Sequence, residues 1–236
     1  MIPSTAHSVQ ANMDLSIKIN AIEEPRSSAN ACLIWMHGLG AESMDMEMLV
    51  HSLPLSDLSL RHIFLNAPIR PVTLNGGAEM RAWYDIAPDF STRVEDEQGV
   101  LASAEGIHRI IEEQIAQGIP SHAIGLAGFS QGGAMALHAG LHYTKPLAGI
   151  AALSAYLPLS LTYNRKLPST QVKTPIFMGT GLHDKIVHFE WSKASQMHLA
   201  NHQYDSIDFH AYPMEHCVCM DETRDLSAWI RKYFTV

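Results

Sequence analysis

The chain has few positive charges and no long uninterrupted hydrophobic run. Its 236 residues carry 16 lysines and arginines against 24 acidic residues, so the formal net charge is −8. The basic residues form no cluster, and we therefore expect no nucleic-acid partner, because such partners bind basic surfaces. The longest apolar stretch, residues 147–161, is interrupted by Ser154 and Pro158 and is too short to span a bilayer. We therefore expect no integral membrane segment.

Cysteine is also scarce, and this bears on the compartment. The three cysteines, Cys32, Cys217 and Cys219, are odd in number, and a single residue separates the last two. This pattern favours a reduced chain over a disulfide framework. Residues 1–10 lack the basic segment followed by an apolar segment that marks a secretory signal. We expect a cytoplasmic protein.

Short apolar runs alternate with helical patterns along the chain, which predicts βαβ units. The predicted strands are residues 15–19, 31–36, 61–66, 123–127, 147–153, 175–179 and 207–212. The predicted helices are residues 43–52, 97–117, 133–141, 187–201 and 219–233. This alternation is typical of an α/β fold with a mostly parallel central sheet and helices on both faces. The length suits a single α/β domain over residues 1–236.

One segment combines a strand, a sharp turn and a helix. Residues 123–127 are apolar, Gly128 to Gly132 follow the pattern G-x-S-x-G, and residues 133–141 are apolar at helical spacing. The two glycines remove the Cβ atoms that would clash where the chain turns on itself. The pattern predicts a nucleophile elbow that exposes Ser130 above a helix N-terminus. A plain glycine-rich turn with an incidental serine is the alternative.

A serine nucleophile needs a base, and the base needs an acid that orients it. Asp184 and His216 follow Ser130 in the chain order serine, aspartate, histidine, and each comes directly after a predicted strand. Because the carboxyl ends of parallel strands meet at one edge of a sheet, we expect the three side chains to converge. Asp205 and Asp208 are competing acids, but neither lies in a glycine-rich loop after a strand. For His216 the alternative is a surface loop histidine.

An acyl-transfer site also needs two backbone N–H groups that face the developing negative charge. The residue after the nucleophile, Gln131, is expected to supply one of them. Leu39, which lies between Gly38 and Gly40 in the loop after an early strand, is expected to supply the other. An ordinary glycine turn is the alternative for this loop.

These segments resemble a known family. Residues 37–41, 128–137 and 216–219, together with Asp184, are similar to the carboxylesterase/phospholipase family of α/β-hydrolases, which includes the acyl-protein thioesterases. Residues 81–85, Arg-Ala-Trp-Tyr-Asp, are similar to a Trp-Tyr/Phe-Asp signature of that family. The resemblance covers nearly the whole chain.

The resemblance implies an α/β-hydrolase fold and a serine hydrolase that works through an acyl-enzyme. It implies the triad Ser130, Asp184 and His216, oxyanion donors at Leu39 and Gln131, and no metal or cofactor. The implied substrates are acyl esters or thioesters, with lipids and acylated proteins among the candidates. Esterase and thioesterase activity are left open, and a homodimer is compatible with the resemblance.

Two residues beside the predicted base depart from the family pattern. Glu215 stands where the family usually has glycine, and Cys217 stands where serine or glutamate is common. A carboxylate at position 215 either adds a charge beside His216 or faces solvent. The departures do not change the predicted roles of the triad residues. They leave the catalytic rate and its pH dependence open.

The segment before the longest predicted helix is a candidate for substrate contact. We predict that residues 69–90 are irregular and that residues 69–80 cover the site as one wall of an acyl groove. Leu74, Met80 and Trp83 are the predicted substrate-binding residues. The alternative is a structural segment clamped by Trp83.

Metal binding and acyl binding without catalysis are the alternatives to a hydrolase. Histidines one helical turn apart, His138 with His142 and His198 with His202, are compatible with metal binding, but no third ligand is evident and we expect no metal. A non-catalytic acyl-binding protein of the same fold would keep a groove but has no need of serine, aspartate and histidine together.

Overall fold

The structure is a computed structural model that describes residues 16–25, 28–87, 95–160 and 169–235. The strands in these ranges are β1 (Lys18–Glu23), β2 (Ala31–Met36), β3 (Leu60–Asn66), β4 (Ile69–Val72), β5 (Ala78–Arg81), β6 (Ile124–Phe129), β7 (Gly149–Leu153), β8 (Ile176–Gly181) and β9 (Ile207–Tyr212). The α-helices are α1 (Ser43–Ser52), α2 (Glu97–Ala116), α3 (Gln131–His142), α4 (Phe189–Asn201) and α5 (Met220–Tyr233).

Seven of the strands form one sheet in the order β1-β3-β2-β6-β7-β8-β9. Only β1 is antiparallel to its neighbour, and the other pairs are parallel. Every residue of β2, β7 and β8 is buried, as expected for strands that are covered on both faces. The predicted mostly parallel sheet is therefore confirmed.

Helices cover both faces of this sheet, as two neighbouring residues of β7 show. Gly149 faces α5, and a Cβ at this position would lie 2.5 Å from the Trp229 ring. The next residue, Ile150, packs against Gly140 of α3. Successive residues of a strand point to opposite faces, so α5 and α3 lie on opposite sides.

Two sequence predictions, one for the first strand and one for residues 69–81, were wrong. The first strand was expected at residues 15–19 but runs from Lys18 to Glu23, because its position is set by antiparallel pairing with β3. Residues 69–81, expected to be irregular, form the hairpin β4–β5. Gly76 and Gly77 have φ angles of 66° and 83°, so they form the turn of this hairpin. The predicted irregular stretch extends into residues 88–90, which lie outside the described residues.

The other predicted elements agree with the observed ones to within two residues at each end. Their agreement reflects long apolar runs with clear boundaries. No helix in the described ranges is long and apolar enough to cross a membrane. The single domain over residues 1–236 stays a prediction, because residues 1–15 lie outside the description.

Candidate active site

Ser130 lies at the sharp turn between β6 and α3. Its φ of 54° and ψ of −120° are in a region that non-glycine residues rarely adopt. Two backbone hydrogen bonds hold this conformation. The N–H of Ser130 donates to the carbonyl of Leu153 at 2.8 Å, and its carbonyl accepts from the N–H of Ala134 at 2.9 Å. The turn is thus fixed by β7 on one side and by the first turn of α3 on the other.

The glycines on both sides of Ser130 are required by close backbone contacts. A Cβ on Gly128 would lie 2.4 Å from the backbone of Gly132, and a Cβ on Gly132 would lie 2.2 Å from the carbonyl oxygen of Met36. Real Cβ atoms do not approach backbone atoms so closely. The elbow therefore turns closely on itself, as the G-x-S-x-G pattern predicts, and it also packs tightly against the end of β2.

The structure brings Ser130, His216 and Asp184 together in one chain of hydrogen bonds. His216 Nδ1 lies 2.7 Å from Asp184 Oδ2, and His216 Nε2 lies 2.9 Å from Ser130 Oγ. An aspartate carboxylate only accepts hydrogen bonds, so His216 Nδ1 donates to it. Nε2 of the neutral ring is then the acceptor for the Ser130 hydroxyl. This tautomer is the one that removal of a proton from serine requires.

The Asp184 side chain is completely buried and well supplied with donors. Its Oδ1 accepts from the backbone N–H groups of Ile186 and Val187 at 2.8 and 2.9 Å, while Oδ2 accepts from His216. A buried charge is stable only when it is paired or hydrogen-bonded in this way. The loop after β8 therefore fixes both the position and the orientation of the carboxylate.

The segment that carries His216 lies directly on the end of β8. Gly181 has no side chain, and a Cβ there would lie 2.5 Å from the carbonyl oxygen of Met214. The N–H of His183 donates to the same carbonyl at 3.0 Å. The Phe129 ring packs against His216 with ring centroids 4.8 Å apart. The loops of the acid and the base thus support each other.

Glu215 and Cys217, the two residues that depart from the family pattern, are both exposed. The backbone N–H of Cys217 donates to the carbonyl of Glu215 at 2.9 Å, so the backbone turns tightly around His216. Of the two alternatives for Glu215, the structure supports a side chain that faces solvent.

The backbone amides predicted as oxyanion donors lie on either side of Ser130. Gln131 is the first residue of α3, and an N–H at this position has no acceptor within its helix. In the loop that carries Leu39, the N–H of Gly40 donates to the carbonyl of Arg81 at 2.8 Å. The N–H of Ala41 donates to the carbonyl of Gly38 at 3.2 Å. For Leu39 N–H, no acceptor occurs in the part of the chain that the structure describes. A Cβ on Gly38 would lie 3.5 Å from Ser130 Cβ, so this loop contacts the serine.

His37 supports the loop that carries Leu39, a role that the sequence did not reveal. It is completely buried at the start of the oxyanion loop, the loop of residues 37–40 that carries the predicted donor Leu39. Its Nδ1 lies 2.7 Å from the carbonyl of Gly38, and its Nε2 accepts from the N–H of Ala67 at 3.1 Å. Burial lowers the pKa of His37, although the Gly38 carbonyl partly opposes this. A neutral ring with its proton on Nδ1 satisfies both contacts and fixes the loop that carries Leu39.

Trp83 is completely buried, so its side chain lines no open groove in this structure. Its contact with a substrate stays a prediction. Its Nε1 donates to the carbonyl of His37 at 2.9 Å, and its backbone N–H donates to Gln131 Oε1 at 2.9 Å. Ser103 also donates to the Trp83 carbonyl. The alternative, a structural clamp, accounts for this residue because its indole packs under the oxyanion loop.

The Gln131 side chain has a structural role that is separate from the predicted role of its backbone N–H. It is buried and bridges two consecutive backbone positions, accepting from Trp83 N–H and donating to the Tyr84 carbonyl at 2.8 Å. The signal in the sequence was an amide side chain next to the predicted nucleophile. Such a side chain both donates and accepts, and it therefore satisfies an N–H and a carbonyl at once.

The hairpin β4–β5 places Met80 beside the oxyanion loop and carries Leu74 in the segment that connects its two strands. The Leu74 side chain is 36% exposed near the turn of the hairpin, and Met80 is partly buried. Met80 Sδ lies 3.5 Å from where a Cβ on Gly40 would be, and it also accepts from Asn75 Nδ2 at 3.0 Å. Contact of Leu74 and Met80 with a substrate stays a prediction.

Within the described residues, no group of three or more histidine, cysteine or acidic side chains is arranged to hold a metal ion. The two histidine pairs noted in the sequence pack ring against ring. The centroids are 4.3 Å apart both in His138–His142 and in His198–His202.

Comparisons with known proteins agree with this fold. The acyl-protein thioesterase 1 of Mycosarcoma maydis is 36% identical over 236 residues, which cover 92% of this chain and 98% of that protein. The carboxylesterase SOBER1 of Arabidopsis thaliana is 34% identical over 209 residues, covering 86% of this chain and 91% of that protein. The crystal structure of acyl-protein thioesterase 2 from Zea mays superposes with a TM-score of 0.79 at 25% identity, covering 91% of this chain and 98% of that one.

These likenesses confirm the predicted α/β-hydrolase fold. Each likeness extends over nearly the full length of both compared proteins, so it concerns the whole architecture and not an isolated motif. The sequence model of the phospholipase/carboxylesterase family matches residues 17–234. The chain therefore belongs to the phospholipase/carboxylesterase family.

Proposed function

We propose that the protein is a serine hydrolase that cleaves carboxylic esters or thioesters of acyl chains. The observation that carries the proposal is the chain of hydrogen bonds from Ser130 Oγ through His216 to the buried carboxylate of Asp184. Serine is a weak nucleophile at neutral pH and becomes effective when a positioned base removes its proton. Membership of a hydrolase family supports the same conclusion.

In the first half of the reaction, Ser130 Oγ attacks the substrate carbonyl carbon while His216 Nε2 takes the hydroxyl proton. The carbonyl π electrons move to the oxygen, whose negative charge is stabilised by the N–H groups of Leu39 and Gln131. The imidazolium is stabilised by Asp184 through Nδ1–H. His216 Nε2–H then protonates the leaving oxygen or sulfur, the bond to the acyl carbon breaks, and the acyl group remains on Ser130.

In the second half, His216 Nε2 removes a proton from a water molecule that attacks the acyl-enzyme carbonyl. The same two N–H groups stabilise the second oxyanion. When it collapses, the bond to Ser130 Oγ breaks and His216 returns the proton to that oxygen. The products are the carboxylic acid and the regenerated serine, and no step needs a metal or an organic cofactor.

The substrate class follows from the relatives, which are named as acyl-protein thioesterases and carboxylesterases. We extend to this chain both an ester and a thioester leaving group, because the triad treats them alike. Lysophospholipids and acylated proteins as substrates, a homodimer and a cytoplasmic location are further proposals that rest on family likeness and composition.

The test is covalent labelling with a fluorophosphonate probe, read by intact mass. We expect one adduct on the wild type and none on Ser130→Ala. Ser154→Ala is the matched control, because Ser154 is a second buried serine with a positive φ at the end of a neighbouring strand. It should label like the wild type.

Absence of an adduct on the wild-type protein would contradict the proposal. The competing function, a non-catalytic acyl-binding protein of the same fold, would then be favoured. Labelling that persists in Ser130→Ala would place the nucleophile elsewhere.

A further inference from the structure

Glu222 is a buried carboxylic acid for which the proposed mechanism has no use. It lies in the first turn of α5 and is completely buried. Neither of its carboxyl oxygens has a hydrogen-bond partner of normal geometry among the described residues. Its neighbour Asp221, by contrast, is 61% exposed and pairs with Arg224. A buried carboxyl without partners is costly and therefore calls for a physical reason.

The carboxyl group fills a notch on β8 that exists because residue 179 is glycine. A Cβ on Gly179 would lie 1.9 Å from Glu222 Oε1 and 2.9 Å from its Cδ. Two residues further along β8, on the same face, Gly181 accommodates the backbone carbonyls of Met214 and Glu215. Glu222 and the residues just before His216 thus rest on successive positions of one strand face.

The groups around Glu222 stabilise its negative charge too little to offset burial. Burial raises the pKa of Glu222 to about 8, with a further contribution from the charge of Asp225 and partial opposition from the backbone N–H of Cys219. From β9, Tyr212 faces the same region and donates to Asp225 at 3.1 Å, and His210 lies 3.8 Å from the same carboxylate. The β8 position in contact is glycine and brings no titratable group.

We propose that Glu222 is a positioning residue for His216. As a neutral acid it fills the notch at Gly179 and keeps the start of α5, and with it the segment 214–219, seated on β8. When it ionises, the carboxylate must reach water, the segment loosens and turnover falls. This inference rests on the proposed function, because it concerns the same base.

The expected pH dependence follows from the direction in which the pKa of Glu222 is shifted. Glu222 is neutral in the folded protein below about pH 8, whereas its ordinary pKa is 4.5. The folded state therefore binds a proton that the unfolded state has released, so stability falls as pH rises from about 4.5 to about 8 and is level above that. Turnover should fall at the upper end of this window, where the folded protein itself loses the proton.

The test is the pH profile of kcat and KM with a short, soluble p-nitrophenyl ester, corrected for spontaneous hydrolysis. We expect the wild-type kcat to fall several-fold between pH 7.5 and 9.5 with little change in KM. Glu222→Gln is neutral at every pH and should keep at least half of the wild-type kcat at pH 7 without the alkaline fall. The control Asp221→Asn, a carboxylate removed from the same helical turn, should behave like the wild type.

The same alkaline fall in Glu222→Gln and in the wild type would overturn the proposal, as would a wild-type profile without that fall. If Glu222→Gln does not fold, hydrogen exchange of the wild type replaces it. The amides of residues 215–220 should lose protection relative to those of α3 between pH 7 and pH 9, and an unchanged ratio would overturn the proposal. Failure of the proposed function would look different, because wild-type Ser130 would then not label with a fluorophosphonate at pH 7.

Discussion

The two sides of the active site are built on different principles. The serine side, defined as residues 37–40, Trp83, Ser130 and Gln131, is buried except at Leu39 and Gly40 and is held by hydrogen bonds between neutral groups. The base side, defined as Asp184, residues 212–219 and Glu222, contains the buried charge, a partly exposed histidine and an unpartnered acid. In the proposed mechanism, the serine side fixes where negative charge develops, and the base side moves protons.

The position of each side in the sheet explains this difference. Apart from Trp83, the serine side follows β2 and β6, which lie in the middle of the sheet, whereas the base side follows β8 and the edge strand β9. Central strands are covered on all sides, so the groups beyond them find buried partners. Near an edge, water reaches the loops, and side chains there exchange protons with solvent. The following predictions test this division.

The largest effect is expected from Asp184→Asn, which would show that charge on the base side is indispensable. An amide in this place favours the wrong tautomer of His216 and does not stabilise the imidazolium. We expect kcat to fall about 10⁴-fold. Steady-state kinetics at pH 7, with a thermal melt to confirm folding, measure this.

Asp205→Asn is the control, since Asp205 is an exposed acid that the sequence offered as a competitor. It should retain wild-type kcat. A loss below tenfold for Asp184→Asn would show that another group orients His216.

An intermediate effect is expected from Gln131→Ala, which keeps the backbone N–H of the serine side but removes its clamp. Trp83 N–H and the Tyr84 carbonyl would lose their partners. We expect a loss of about 1–3 kcal/mol in the free energy of unfolding. We also expect a drop in kcat of about 10- to 100-fold, because misplacement of the oxyanion donors is costly.

Gln171→Ala is a closely matched control for this prediction. Gln171 is also a buried glutamine that bridges backbone groups, the carbonyls of Tyr143 and Lys145, but at the far end of α3. It should cost similar stability and leave kcat unchanged. Equal losses of kcat in the two variants would mean that the Gln131 clamp serves stability alone.

The smallest effect is expected at the outer border of the serine side, from Leu74→Ala. If the hairpin forms one wall of an acyl groove, kcat/KM for long-chain esters should fall a few-fold relative to short-chain esters, in proportion to the apolar area lost. A series of p-nitrophenyl esters of increasing acyl length measures the ratio. Ile22→Ala, which shortens an exposed side chain on β1, should leave it unchanged. An unchanged ratio in Leu74→Ala would show that the hairpin does not line an acyl groove.

Much of this arrangement was accessible from local sequence patterns. The apolar run of β2, the glycines around Ser130 and the order of Ser130, Asp184 and His216 predicted the sheet edge where the triad meets. These predictions succeeded because each depends on contacts between residues close in sequence, or on the rule that parallel strands end at the same edge. The hairpin β4–β5 was missed because Pro71 and the glycine pair concealed a short antiparallel pairing.

Local sequence specifies the alternation of strands and helices, the elbow and the types of residue that follow each strand, because these depend on periodicity and backbone sterics. Three features become visible only in the folded chain: Trp83 supports the oxyanion loop from beneath, Glu215 faces solvent and Glu222 is buried. The positions of Trp83 and Glu222 depend on partners from distant segments, namely His37 for Trp83 and the notch at Gly179 for Glu222. The environment of a polar side chain is set by what packs against it, and local sequence does not contain that information.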